Sequence, residues 1–173
     1  AELASGLRGC LHYDADLPAP IRSHIEQTLT ALQGESLEDR IDIVLGTHYW
    51  DLTVGTEERL EGPAVLKELA EAVESDARVD LVTRYAEQDP RFDETTVHMF
   101  FQQLGRLGVP AGEELARDAS TSFAARTGYV IGRVRRGDTE WAESIASSWT
   151  HDSSLATGVA PVVHQVGASR KTL

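Results

Sequence analysis

Ile41-Asp42-Ile43-Val44-Leu45 and Val79-Asp80-Leu81-Val82-Thr83 are two short apolar runs, separated by one amphipathic stretch around Val65, Leu66, Leu69 and Val73. Strand, helix, strand in that order, with no tight turn between the runs, predicts a crossover unit of a parallel sheet. Such sheets place ligand sites just beyond the carboxyl ends of their strands. The two runs therefore decide both the expected fold and the expected position of a site.

Outward from this unit, apolar spacing continues to alternate between the two periods. Ile21, Ile25, Leu29 and Leu32 fall on one helical face between Pro20 and Gly34. Gly62-Pro63 opens a helix carrying Leu66, Leu69 and Val73. Asp93 reads as the N-cap of a helix with Val97, Phe100, Phe101 and Leu104, which stops at Gly105 or Gly108. The segment 113–136 reads as helix followed by a strand over Tyr129-Val130-Ile131-Gly132-Arg133-Val134. Asp138 then caps a helix with Trp141, Ile145 and Trp149, and Val159 to Val166 reads as a last strand, placed at an edge by Pro161. The expectation is one α/β domain over 1–173, a mostly parallel or mixed sheet with helices on both faces. Residues 1–19 form an N-terminal extension or edge strand, and 167–173 a frayed tail.

Composition narrows the function classes. The chain has 173 residues, 41% hydrophobic and 25% charged, as in ordinary globular proteins. Asp and Glu number 28 against 16 Lys and Arg, a net charge of -12, and only Lys67 and Lys171 are lysines. Such a surface repels phosphate backbones and anionic headgroups, so nucleic-acid and membrane-surface partners are not expected. Cys10 is the only cysteine, which excludes an internal disulfide. No apolar span approaches the roughly twenty residues of a membrane helix. The start, Ala1-Glu2-Leu3-Ala4, lacks a signal-peptide pattern, so a cytoplasmic setting is expected.

If the two runs are parallel neighbours, the segments 46–51 and 84–91 meet at one rim. His48 with Asp51 or Asp89 then supplies a base and its orienting carboxylate as candidate catalytic residues. Thr47, Tyr49, Trp50, Arg84 and Arg91 are candidate ligand-binding residues, with Arg84 holding a small anion bidentately. The structural alternative is that Tyr49-Trp50 anchors a loop by burying rings, while Arg84 and Asp89 pair at the surface. A second cluster is His12, Asp14 and Asp16, aligned on one side of an extended segment and suited to a divalent cation.

Two resemblances add to this reading. Gly6-Leu7-Arg8-Gly9 with Asp14-Ala15-Asp16-Leu17 resembles the glycine turn and paired aspartates of nucleotidyltransferases, which implies magnesium held by the two aspartates. Gly128 to Asp152, with Trp141-Ala142-Glu143 and Trp149-Thr150-His151-Asp152, is similar to the closing segment of phospholipase-D-like domains. That family needs a lysine two residues after a catalytic histidine, and no histidine here has one. Phosphate-binding Gly-Lys-Ser/Thr loops and Gly-x-Ser-x-Gly elbows are also absent from the sequence. The expected function is therefore a ligand- or protein-binding module, or a self-associating subunit of a larger assembly. The alternative is a hydrolase or transferase acting on a phosphate-containing substrate.

Overall fold

Ser36 sits immediately before the first apolar run, and it starts a helix. Its hydroxyl accepts from Asp39 N at 3.1 Å, while the Asp39 carboxylate accepts from the Ser36 backbone N–H at 3.3 Å. This reciprocal cap satisfies two donors that a helix start leaves open. Behind it Ile41, Val44 and Leu45 are buried together, at the i, i+3, i+4 spacing of one helical face. The second run behaves likewise: Leu81, Val82, Tyr85 and Ala86 are buried, whereas Val79 is 49% exposed. Both expected strands are helices.

The structure is a computed structural model that describes residues 6–7, 9–11, 14, 16–32, 36–52, 63–151 and 155–170. Among the described residues there is no strand, so the expected α/β sheet is replaced by an all-helical packing. The order is α1 (Ala19–Leu32), α2 (Leu37–Leu45), the short α3 (Tyr49–Leu52), α4 (Ala64–Ser75), α5 (Val79–Ala86) and α6 (Glu94–Leu107). It continues with the short α7 (Ala111–Leu115), α8 (Phe123–Arg136), α9 (Thr139–Trp149), a 3-10 turn (Ala156–Gly158) and α10 (Val159–Arg170).

The remaining expected strands fall to the same physics. Tyr129 to Val134 lies inside α8, whose residues 124–132 are all buried. Over 124–132 the helix is covered on every side, so the apolar run within it imitates a buried strand. The strand that the phospholipase-D-like resemblance needs after Gly128 is therefore absent. The expected strand Val159 to Val166 is α10, which buries Val162 and Val166 one turn apart. Pro161 is tolerated because it lies in the first turn, where the backbone N–H has no intrahelical partner. Residues 6–7 and 9–11 are helical, which corrects the edge-strand reading of 1–19. The expected tail is corrected in part, since α10 runs through Gly167 to Arg170; 171–173 lie outside the described residues.

The centre of the molecule is the pair α6 and α8, which run parallel. Gly128 faces the His98 backbone, and Gly132 faces Gln102 and Gly105. A Cβ at Gly128 would overlap the His98 carbonyl, and one at Gly132 the Gln102 carbonyl. Small residues here let two backbones approach, the device that also joins helices in membranes. α4 packs on α6 and α2, while α9 and α10 pack on α8. Trp149 is fully buried beneath α8, donating from Nε1 to the Ala116 carbonyl at 2.9 Å.

A tyrosine and an arginine of α8 tie the outer elements to this pair. Tyr129 donates to the Val109 carbonyl at 2.7 Å, fixing the chain reversal after α6. Arg133 bridges Glu113 and Asp138 at 2.5 Å each, and its guanidinium lies 4.5 Å from the Trp141 ring centroid. Burial opposes that charge, but hydrogen bonds to Glu113, Tyr129 and Asp138 outweigh it and hold the guanidinium pKa above its ordinary value. No helix among the described residues is long and apolar enough to cross a membrane.

Candidate functional site

The turn after α2 is stitched to the start of α6. The Asp93 backbone N–H donates to the Leu45 carbonyl at 2.8 Å. Asp93, the N-cap of α6, accepts from the Thr96 backbone N–H at 2.8 Å. The Thr96 hydroxyl lies 2.9 Å from both the Thr47 carbonyl and Asp93 Oδ1, and its single proton serves one of them at a time. Thr47 is buried, and its own hydroxyl donates to the Ile43 carbonyl at 2.8 Å. Its side chain is therefore a structural plug.

His48 finds a carboxylate, although neither of the two expected. Its Nδ1 is 3.5 Å from Asp93 Oδ2, and the imidazole side chain is 66% exposed. Asp51 is half-buried in the short α3. Asp89 is held by Arg91, whose guanidinium lies 3.0 Å from Oδ1 and 2.5 Å from Oδ2. That pairing lowers the Asp89 pKa below the usual carboxylate value, which disfavours proton donation.

The expected common rim is replaced by a different arrangement. Arg84, in the last turn of α5, pairs with Glu38 and lies 3.7 Å from Asp42. Tyr85 donates to Asp42 Oδ1 at 2.7 Å and reaches the Glu38 carbonyl at 3.1 Å. Burial first, then Asp42, pushes the Tyr85 hydroxyl pKa up. The end of α5 thus lies against the first half of α2, and the following loop runs along α2 to Asp93. Arg84 and Arg91 are both committed to carboxylates of this chain.

Tyr49 is buried with its hydroxyl pKa raised by desolvation, and Trp50 meets it edge-on at 5.5 Å. Tyr49 thus anchors the loop, as the structural alternative expects, while Trp50 is 66% exposed. Of the expected metal cluster, Asp14 and Asp16 are exposed and His12 lies outside the described residues. No group of three or more His, Cys, Asp or Glu is placed to hold a metal among the described residues.

A cleft of about 310 Å³ lies between the loop after α5 and the starts of α6 and α8. Pro90, Phe92, Val97 and Phe123 supply its apolar surface; Glu87, Asp89 and Glu94 supply carboxylates. Phe123, the first residue of α8, is 48% exposed there. Ser122 also lines the cleft, but its hydroxyl accepts from Ala125 N as the helix cap. No histidine, cysteine or lysine is among the described lining residues. Sequence reasoning named Asp89 alone of this set. The signal for the rest was present in Phe123, an aromatic directly after a Ser cap, where helix starts ordinarily carry polar groups.

Comparison of the chain with protein-family models, with characterised proteins and with solved structures gives no match.

Proposed function

We propose that the chain is a protein-binding module whose cleft beside Phe123 takes a basic, apolar segment of a partner. The observation that carries this reading is Phe123: a large ring left 48% exposed at the mouth of a cleft rimmed by Glu87, Asp89 and Glu94. Exposed aromatics in concave, partly apolar surroundings are the usual anchors of protein interfaces. At about 310 Å³ the cleft is at the small end of ligand sites and suits one or two side chains. Asp89 is occupied by Arg91, but the carboxylates of Glu87 and Glu94 favour a Lys- or Arg-bearing segment over an anion, and a net charge of -12 steers such a segment inward. The described residues of the cleft include no histidine or cysteine to serve as base or nucleophile, so binding without chemistry is its simplest use.

Fluorescence anisotropy with a labelled pool of short Lys/Arg- and Leu-containing peptides tests this. Binding should saturate, weaken as salt shortens the screening length below about 8 Å, and fall about tenfold in Phe123→Ala. Equal binding of an acidic-apolar pool, or indifference to Phe123→Ala, would overturn the reading.

A further inference from the structure

A second pocket reverses the charge of the first. It lies between α4 and the C-terminal turn of α6, has a volume of about 180 Å³, and is lined by Lys67, Gln103, Arg106 and Leu107. Three other clefts each carry at least one carboxylate: Glu94 beside Phe123, Glu143 between α9 and α10, and Asp138 and Glu140 beside Arg133. Among the described residues its lining has two cations, one buried amide side chain and no acid.

Arg106 gives the contrast its meaning. Arg78, Arg84, Arg91, Arg133 and Arg136 each lie against a carboxylate of this chain. Arg106 is half-buried, and among the described residues its side chain makes neither a hydrogen bond nor an ion pair. A guanidinium removed partly from water without a counter-ion is an open demand for one. Among the described residues Lys67 is paired only with Glu71, at 3.9 Å and with both side chains at least half exposed, so its ammonium swings at little cost. A cation in a last helical turn also complements the helix dipole. The Leu104 and Leu107 carbonyls at this end are already served, however. Leu104 O accepts from Gly108 N and Val109 N, and Leu107 O accepts from Arg136.

We infer that the Lys67–Arg106 pocket binds a small oxyanion, a phosphate group in size and charge. The Arg106 guanidinium supplies a planar fork for two oxygens, Lys67 a mobile point charge, and Leu107 an apolar wall. The volume admits inorganic phosphate or a small phosphomonoester and is too small for a nucleotide. The pocket is independent of the peptide cleft, which lies at the opposite end of α6.

The test is titration of the whole chain with inorganic phosphate and, separately, glycerol phosphate, at ionic strength held constant with chloride. NMR follows the Arg106 Nε–H and Lys67 signals. Saturable shifts are expected, with affinity reduced about tenfold or more in Arg106→Gln and in Lys67→Glu. Lys67 is exposed, so its reversal leaves the fold intact even where Arg106→Gln disturbs it. Response to both anions identifies a phosphoryl group as the ligand, and response to inorganic phosphate alone a free anion. Shifts that do not saturate, or that survive Lys67→Glu unchanged, overturn the proposal.

Discussion

The carbonyl of His98 occupies the space that a side chain at Gly128 would need. Around that contact the two central helices run side by side in the same direction, with Gly132 repeating it one turn later against Gln102. The buried backbone groups remain bonded within their own helices, so this closeness adds dispersion at many atoms without stranding a donor.

Gly128→Val should therefore be among the most damaging single changes in the chain. Overpacking of this kind costs about 1–3 kcal/mol or more when the obstacle is backbone. In a chain of this size that lowers the melting temperature by roughly 2–4 °C per kcal/mol. A thermal melt checks it, and Gly137→Ala is a control, because a Cβ there meets nothing within 4 Å and only the left-handed backbone (φ 108°) is strained.

Arg133→Met should lose about 2 kcal/mol, less than a fully buried pair, because Glu113 and Asp138 are partly exposed and rehydrate. Methionine keeps the contact with the Trp141 ring while deleting the charge. Urea midpoints of Arg133→Met and Trp141→Leu, singly and together, separate the ionic from the aromatic share.

Acid should destabilise the protein partly through His98. Its Nδ1 lies 3.3 Å from the Thr127 hydroxyl, which donates to the Phe123 carbonyl, so the ring nitrogen is the donor between them. Burial, with a smaller repulsion from Arg135, lowers the His98 pKa below the ordinary 6.5. The unfolded chain thus binds the proton more readily than the folded one. This contribution is intact above pH 6.5 and is lost as pH falls from there through the folded value. Stability measured from pH 7.5 to 5 should fall less steeply in His98→Gln than in the parent chain.

The pair His48 and Asp93 should respond unequally to truncation. His48→Ala changes an exposed side chain and should move stability by no more than about 0.5 kcal/mol. Asp93→Ala removes the cap of α6 and the partner of Thr96, and should cost about 1–2 kcal/mol. Parallel denaturation curves decide it, and a His48→Ala loss as large as that of Asp93→Ala would make the imidazole structural.

Several elements are legible in the residue order because they are amphipathic at the surface. Leu66, Leu69 and Val73 predict α4; Val97, Phe100, Phe101 and Leu104 predict α6; Trp141, Ile145 and Trp149 predict α9. Each has water on one side to reveal the period. Asp93 is recognisable as a cap for the same local reason. The runs at 41–45 and 79–83 are ambiguous as apolar strings, though Ser36 and Asp39 form a capping pair just ahead of the first and settle it locally. The loops 46–51 and 84–91 carry the residue types of a site, but spacing says nothing of which carboxylate each cation meets.

What the amino-acid order determines by itself is an acidic chain with helix caps, surface periods and a store of arginines. What only the tertiary structure decides is the burial of residues 124–132 of α8 on every side, the glycine contact with α6, and the partners of each arginine. The reason is that secondary preference and charge are local properties, whereas burial and ion pairing depend on which distant segments arrive at the same place. Arg84 and Arg91 meet carboxylates and are spent within the fold, while Arg106 meets none among the described residues and faces a pocket.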